Sequence, residues 1–150
     1  MRNSEPRRKP VLARLARFAC VIGVWALMFS PVAAQQSMGG ADAGAVTNST
    51  FTSGITDGAP VDYRQQFDTN TAVVYYYTEV VGLRDQKVTH RWTLEGTVVK
   101  EVVLPVKSSR QGVWSMHQMQ PERTGNWMVE VVNARGEVIK RDNFAYSPPL

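Results

Sequence analysis

Cysteine is all but missing from this chain. The single one, Cys20, lies inside an apolar run near the N-terminus, so a chain released after that run has no thiol. Disulfide staples, thiolate nucleophiles and Cys-ligated metals are thereby excluded for residues 35–150. Histidine is scarce too: His90 and His117 are the only two, and no HxH, HExxH or Asp-rich loop accompanies either. A metal site wants three or four converging ligands, so neither metal nor cofactor is expected. Gly39-Gly40 is not part of a strand-to-helix turn, and no Gly-rich phosphate loop occurs elsewhere. Ser115 and His117 would share a strand face, but no Gly-x-Ser-x-Gly elbow surrounds the serine. Glu79, Glu95, Glu101, Glu122, Glu130 and Glu137 are scattered singly, as residues that solvate outer faces. Without a catalytic constellation, the chain is read as a non-enzyme.

Charge is unevenly placed. The net charge is +4, yet six of the 17 Lys and Arg, and one of the 13 acids, fall in residues 1–34. The remaining 11 cations and 12 acids leave residues 35–150 close to neutral. A nucleic-acid binder carries its basic patch on the folded domain, so nucleic acid is not an expected partner. Hydrophobic residues make up 43% and charged residues 20%, an ordinary globular composition that excludes collagen-like and wholly disordered classes.

The basic N-terminus is an export signal by its order of parts. Arg2, Arg7, Arg8, Lys9, Arg14 and Arg17 precede a charge-free apolar run, Phe18–Ser30, and Val32-Ala33-Ala34 offers a small-residue exit before Gln35. The run is 13 residues long, short of the about 20 that a spanning helix wants. Cleavage after Ala34 is the expectation, and retention as an inner-membrane anchor the alternative. The domain is therefore expected in the periplasm or outside the cell, meeting a membrane only through an uncleaved signal. Residues 35–70 read as a flexible tether and lead-in: Gln35–Pro60 is rich in Gly, Ala, Ser and Thr, and neither a helical nor an alternating period survives there.

From Thr71 the texture becomes strand-like. Ala72–Val81 is dense in β-branched and aromatic residues on both alternating faces, as in a central strand. Lys87–Leu94 alternates, with Val88, His90, Trp92 and Leu94 on one face and Thr89, Arg91 and Thr93 on the other. Glu95-Gly96 is a two-residue turn into Thr97–Leu104. A polar loop, Ser108–Gly112, leads to Val113–Met119; Trp127–Val132 and Glu137–Tyr146 follow, separated by Asn133-Ala134-Arg135-Gly136. Six to seven short strands at regular spacing predict an all-β, antiparallel, immunoglobulin-like β-sandwich over residues 71–150, without the immunoglobulin cysteine pair.

Three local patterns carry a family resemblance. They are Tyr77-Thr78-Glu79-Val80-Val81-Gly82-Leu83 followed by Val88-Thr89-His90-Arg91-Trp92; Val102–Val106 with Trp114-Ser115 nearby; and Thr124–Val132 closed by Gly136-Glu137-Val138-Ile139. The stretch Val74–Lys140 resembles the bacterial family called domain of unknown function 2914. The resemblance implies an exported or membrane-attached all-β domain and no activity.

The expected roles follow from the faces. His90, Trp92 and Trp127 are expected to be structural, the histidine hydrogen-bonded across the sheet and the tryptophans in the core, since a Trp buries a large area in one residue. The tyrosine run Tyr75–Tyr77 is expected in the core as well. Arg91 should face solvent, and a planar guanidinium suits carboxylate, phosphate or aromatic partners. Arg110 would join it if their strands are neighbours, and Trp114 would complete a binding surface. The expected function is a non-catalytic protein-binding or structural module of the bacterial envelope, or, as the alternative, a carbohydrate-binding module with a glycan stacked on Trp114 beside an exposed Arg. A small enzyme is the disfavoured third reading.

Overall fold

The computed structural model describes residues 43–150. The expected export signal and the first part of the expected tether lie outside the described residues. The strands are, in chain order, β1 (Ala45–Thr52), β2 (Ile55–Thr56), β3 (Ala59–Pro60), β4 (Gln66–Asp68), β5 (Val73–Val81), β6 (Lys87–Leu94), β7 (Thr97–Pro105), β8 (Arg110–Gln118), β9 (Gly125–Val132) and β10 (Val138–Ser147). One sheet has the order β1-β5-β8, a second the order β4-β10-β9-β6-β7, and β2 pairs with β3 in a small hairpin. Every pairing is antiparallel except that of β4 on β10. The described chain is all-β, two sheets closing on one core: the expected sandwich, with more strands than the expected six to seven.

Alternation decides which side of each strand turns inward. On β5, Val74, Tyr76, Thr78 and Val80 are buried, while Tyr75, Tyr77 and Glu79 face outward. On β6 the inward set is Val88, His90 and Trp92, and on β9 it is Trp127, Val129 and Val131. Aromatics knit the two sheets. The ring of Phe51 lies 4.8 Å from Tyr76 and 4.6 Å from Phe144, and the ring of Trp127 lies 6.1 Å from Phe144. The Tyr76 hydroxyl also donates to Asp142 on β10 at 2.7 Å, and burial followed by that carboxylate pushes the phenol well above its ordinary pKa.

The tether reading of residues 35–70 is corrected over its described part. β1 pairs with β5 from Ala45↔Val81 to Thr52↔Tyr75. A strand of mostly small polar residues escapes a hydrophobic count, because its place rests on backbone pairing and on Phe51, which is 2% exposed, with Val46 packed partly against the core. Asp57-Gly58 forms the β2–β3 turn, both residues having positive φ (51° and 76°), the pairing a type I′ hairpin favours. The lead-in is tied down by Asp62, which accepts bonds from Thr52 Oγ1 (2.7 Å), Ser53 N (2.8 Å), Ser53 Oγ (2.8 Å) and Arg64 Nε (2.6 Å). Burial raises this carboxyl's pKa, but those bonds outweigh it and bring it down to about 2.

The expected Glu95-Gly96 turn is present, with φ of 47° and 81°. The expected polar loop Ser108–Gly112 is shorter than read. Arg110, Gln111 and Gly112 already pair with Val81, Val80 and Glu79, so β8 starts at Arg110. Gly112 leaves room for the Tyr77 ring, since a Cβ at this position would lie 2.5 Å from the Tyr77 hydroxyl oxygen.

Candidate functional site

Three places gather the residues that carry chemistry: the core between the sheets, the outer face of the five-stranded sheet and the outer face of the three-stranded sheet.

In the core, β5, β6 and β8 bring Thr78, His90, Trp92 and Ser115 together. His90 is fully buried, with Nδ1 2.9 Å from Ser115 Oγ and Nε2 3.1 Å from Thr78 Oγ1. Trp92 Nε1 donates to Ser115 Oγ at 3.0 Å, and Thr78 Oγ1 to the Val113 carbonyl at 3.5 Å. These partners fix one direction for every proton. Thr78 spends its proton on the Val113 carbonyl, so it accepts from His90 Nε2, and Nδ1 is left to accept from the Ser115 hydroxyl. Burial alone drives the His90 pKa down to about 3, which keeps the ring neutral. Both ring nitrogens are used inside the protein. The serine near a histidine in sequence therefore bonds not to His117 but to His90, a partner on another strand.

On the outer face of the five-stranded sheet, Arg91 stands in a row that crosses four strands. It donates from Nε to Glu101 Oε1 on β7 at 2.6 Å and from Nη1 to Glu130 Oε2 on β9 at 3.3 Å; Arg141 on β10 donates to Glu130 Oε1 at 2.7 Å. The residues lie directly opposite one another in register. Hydrogen bonding from Arg141, then that from Arg91, holds Glu130 below its ordinary pKa despite partial burial. Arg91 faces outward, but its guanidinium is committed to two carboxylates.

On the outer face of the three-stranded sheet, β8 carries Arg110, Trp114 and Met116, and β5 carries Tyr75, Tyr77 and Glu79. Tyr77 pairs across the strands with Trp114, and Tyr75 with Met116. Trp114 is 41% exposed and Met116 40%, while Tyr75 and Tyr77 are half-buried. Arg110 makes an ion pair with Glu79, which also accepts from Thr47 Oγ1. The result is a platform of two tyrosines, a tryptophan and a methionine with a polar rim at one end. Arg110 and Trp114 come together here. Arg91 does not join them, because β6 and β8 belong to different sheets. The core reading of the tyrosine run is corrected for Tyr75 and Tyr77: only Tyr76 points inward. Strict alternation, which sends Tyr76 to one side and its neighbours to the other, was the signal available for this.

His117 lies apart from both outer faces. Its ring is stacked on Trp92 at 5.6 Å and tilted against Trp127 at 4.9 Å, and it lines a cavity of about 670 Å³ with Lys100 and Arg123. Among the described residues, no group of three or more His, Cys, Asp or Glu converges as metal ligands would.

Residues 85–146 match the model of a family described as Protein of unknown function (DUF2914). The match runs from the turn before β6 to Tyr146 of β10, so Trp114 and Met116 lie within the matched residues, and Tyr75 and Tyr77 on β5 precede them. No curated protein matches the sequence. Among solved structures, a crystal structure described as an engineered protein from the Northeast Structural Genomics Consortium is similar, at 18% identity and a TM-score of 0.38. It covers 54% of this chain and 17% of that one, so the chain spans about a sixth of that protein.

Proposed function

We propose that this protein is an exported, non-catalytic module of the bacterial envelope that binds a partner protein through the outer face of its three-stranded sheet. The observation that carries the reading is the exposed Trp114–Met116 pair packed beside Tyr77 and Tyr75. The outward face of an antiparallel sheet is commonly polar, whereas aromatic residues, Met and Arg are enriched where proteins meet. Rigid aromatic rings give large contact area at little cost in side-chain entropy. Export is supported by the charge, apolar run and small-residue exit of residues 1–34. The non-catalytic reading is supported by the buried state of His90 and Ser115, whose polar atoms are already bonded to each other and to Trp92 and Thr78.

A second reading, glycan binding, is favoured by one specific observation. Arg110, with its side chain 62% exposed, shares the strand face of Trp114, so a sugar ring stacked on the indole would have a guanidinium beside it.

The two are separated by one set of pull-downs from envelope extract, run with wild type, Trp114→Ala, Arg110→Ala and Arg91→Ala, each checked for an unchanged fold. The protein-binding reading expects Trp114→Ala to lose a partner that Arg91→Ala retains, in extract from which glycans have been digested. Loss of the partner on glycan digestion favours the second reading. Retention of every partner by both Trp114→Ala and Arg110→Ala overturns both.

A further inference from the structure

Where β5 begins and β8 ends, the cavity of about 670 Å³ beside His117 opens at the end of the sandwich. Its charged lining is of one sign, Lys100 from β7 and Arg123 from the β8–β9 connection, with Gln118 and Gln120 as neutral polar neighbours. Among the described residues, neither cation pairs with a carboxylate. Both are nonetheless held. Lys100 Nζ donates to the Met116 carbonyl at 2.8 Å, and the Arg123 guanidinium lies over the Trp127 ring, 5.7 Å from its centroid. Each contact leaves N–H donors unspent.

The His117 ring adds a further donor. Its Nδ1 is buried without a hydrogen-bond partner. A bare acceptor is less costly there than a stranded N–H, so the proton belongs on Nε2. The groups around the ring are Trp92 from β6, Trp127 from β9, Lys100 from β7 and Arg123; none is an acid. Burial first, then Lys100 and Arg123, hold the His117 pKa below its ordinary value.

We propose that this notch binds a small soluble oxyanion, a carboxylate or phosphate, between Lys100 and Arg123 with the His117 ring as a third donor. A concave site of this volume is in the range that small ligands occupy. Two unpaired cations fixed by non-ionic contacts are preorganised for charge-assisted hydrogen bonds. The site is separate from the aromatic platform, so its occupant need not be the partner that docks there.

The test is NMR titration of the exported protein with inorganic phosphate and with acetate at low ionic strength, following the ring signals of both histidines. The expected result is a saturable shift at His117 and none at His90. Lys100→Gln and Arg123→Gln should each weaken binding about tenfold, their combination should abolish it, and Arg123→Lys should retain most of it. If Arg123→Gln lowers the melting midpoint by loosening Trp127, Lys100→Gln alone carries the comparison. Wild type without a saturable shift, or a double variant that binds as wild type does, overturns the proposal. So does binding to vesicles of anionic lipid without any response to free phosphate or acetate.

Discussion

His90 and Ser115, 25 residues apart in sequence, share a hydrogen bond of 2.9 Å in the interior of the sandwich. The same serine oxygen accepts from Trp92, so one hydroxyl satisfies two large side chains on β6. Ser115→Ala should strand both. A buried polar group left without its partner costs about 1–3 kcal/mol, and two such groups should bring the denaturation midpoint down sharply. Equilibrium unfolding in urea checks this, and an unchanged midpoint would mean that neither bond is made in solution.

Burial of His90 also gives stability a dependence on pH. Its folded pKa of about 3 lies below the ordinary value near 6.5, so between those limits the unfolded chain holds a proton that the folded chain does not. Stability should therefore be fully present above about pH 6.5 and fall as the pH drops, by about 1.4 kcal/mol per pH unit from this residue. His117, also depressed, acts in the same direction. Unfolding free energies measured from pH 7 to pH 5 should show this slope, and His90→Gln should flatten it. A wild-type curve that is level across this range would contradict a neutral His90.

Much of this interior was legible in the sequence, and the reason is periodicity. Lys87–Leu94 and Trp127–Val132 alternate cleanly, so His90, Trp92 and Trp127 could be assigned to one face before any fold was known. What alternation within a strand cannot give is the neighbour across the sheet. Arg91 and Arg110 both face outward, but they lie on opposite sheets, a fact set by long-range pairing. β1 was missed for a related reason: Ser and Thr in its sequence look like tether until backbone pairing with β5 gives them a partner.

Trp127 anchors β9 against Phe144 and His117. Trp127→Ala should cost about 3–5 kcal/mol, the usual range for truncating a buried aromatic. With no cysteine in residues 35–150, no disulfide offsets the loss, and a large part of the population should unfold. Thermal melting followed by far-ultraviolet circular dichroism reads this directly.

Arg91 should matter little by comparison. Its pairs with Glu101 and Glu130 lie on a solvent-facing sheet surface, where exposed charge pairs contribute little and are screened by salt. Arg91→Ala is expected to shift the melting midpoint slightly, more at low salt than at high, and to leave partner binding untouched.

Gly112 offers a way to disturb the platform without emptying the core. A Cβ there would crowd the Tyr77 ring and hydroxyl, so Gly112→Ala should displace the Tyr77 ring and reshape the platform. Binding through the platform should weaken while the buried set around His90 stays intact, as the unchanged ring signals of His90 would report.

The most direct measurement of the central claim is site-specific photo-crosslinking in living cells, with the photoreactive residue placed at position 116, beside an intact Trp114, or, as a control on the other sheet, at position 103. Val103 is 57% exposed on β7, so both probes reach solvent. A platform that docks a protein predicts a discrete protein adduct from position 116 that is missing from position 103 and is lost when Gly112→Ala is added. The same adducts from both positions, or an adduct from 103 alone, would contradict it.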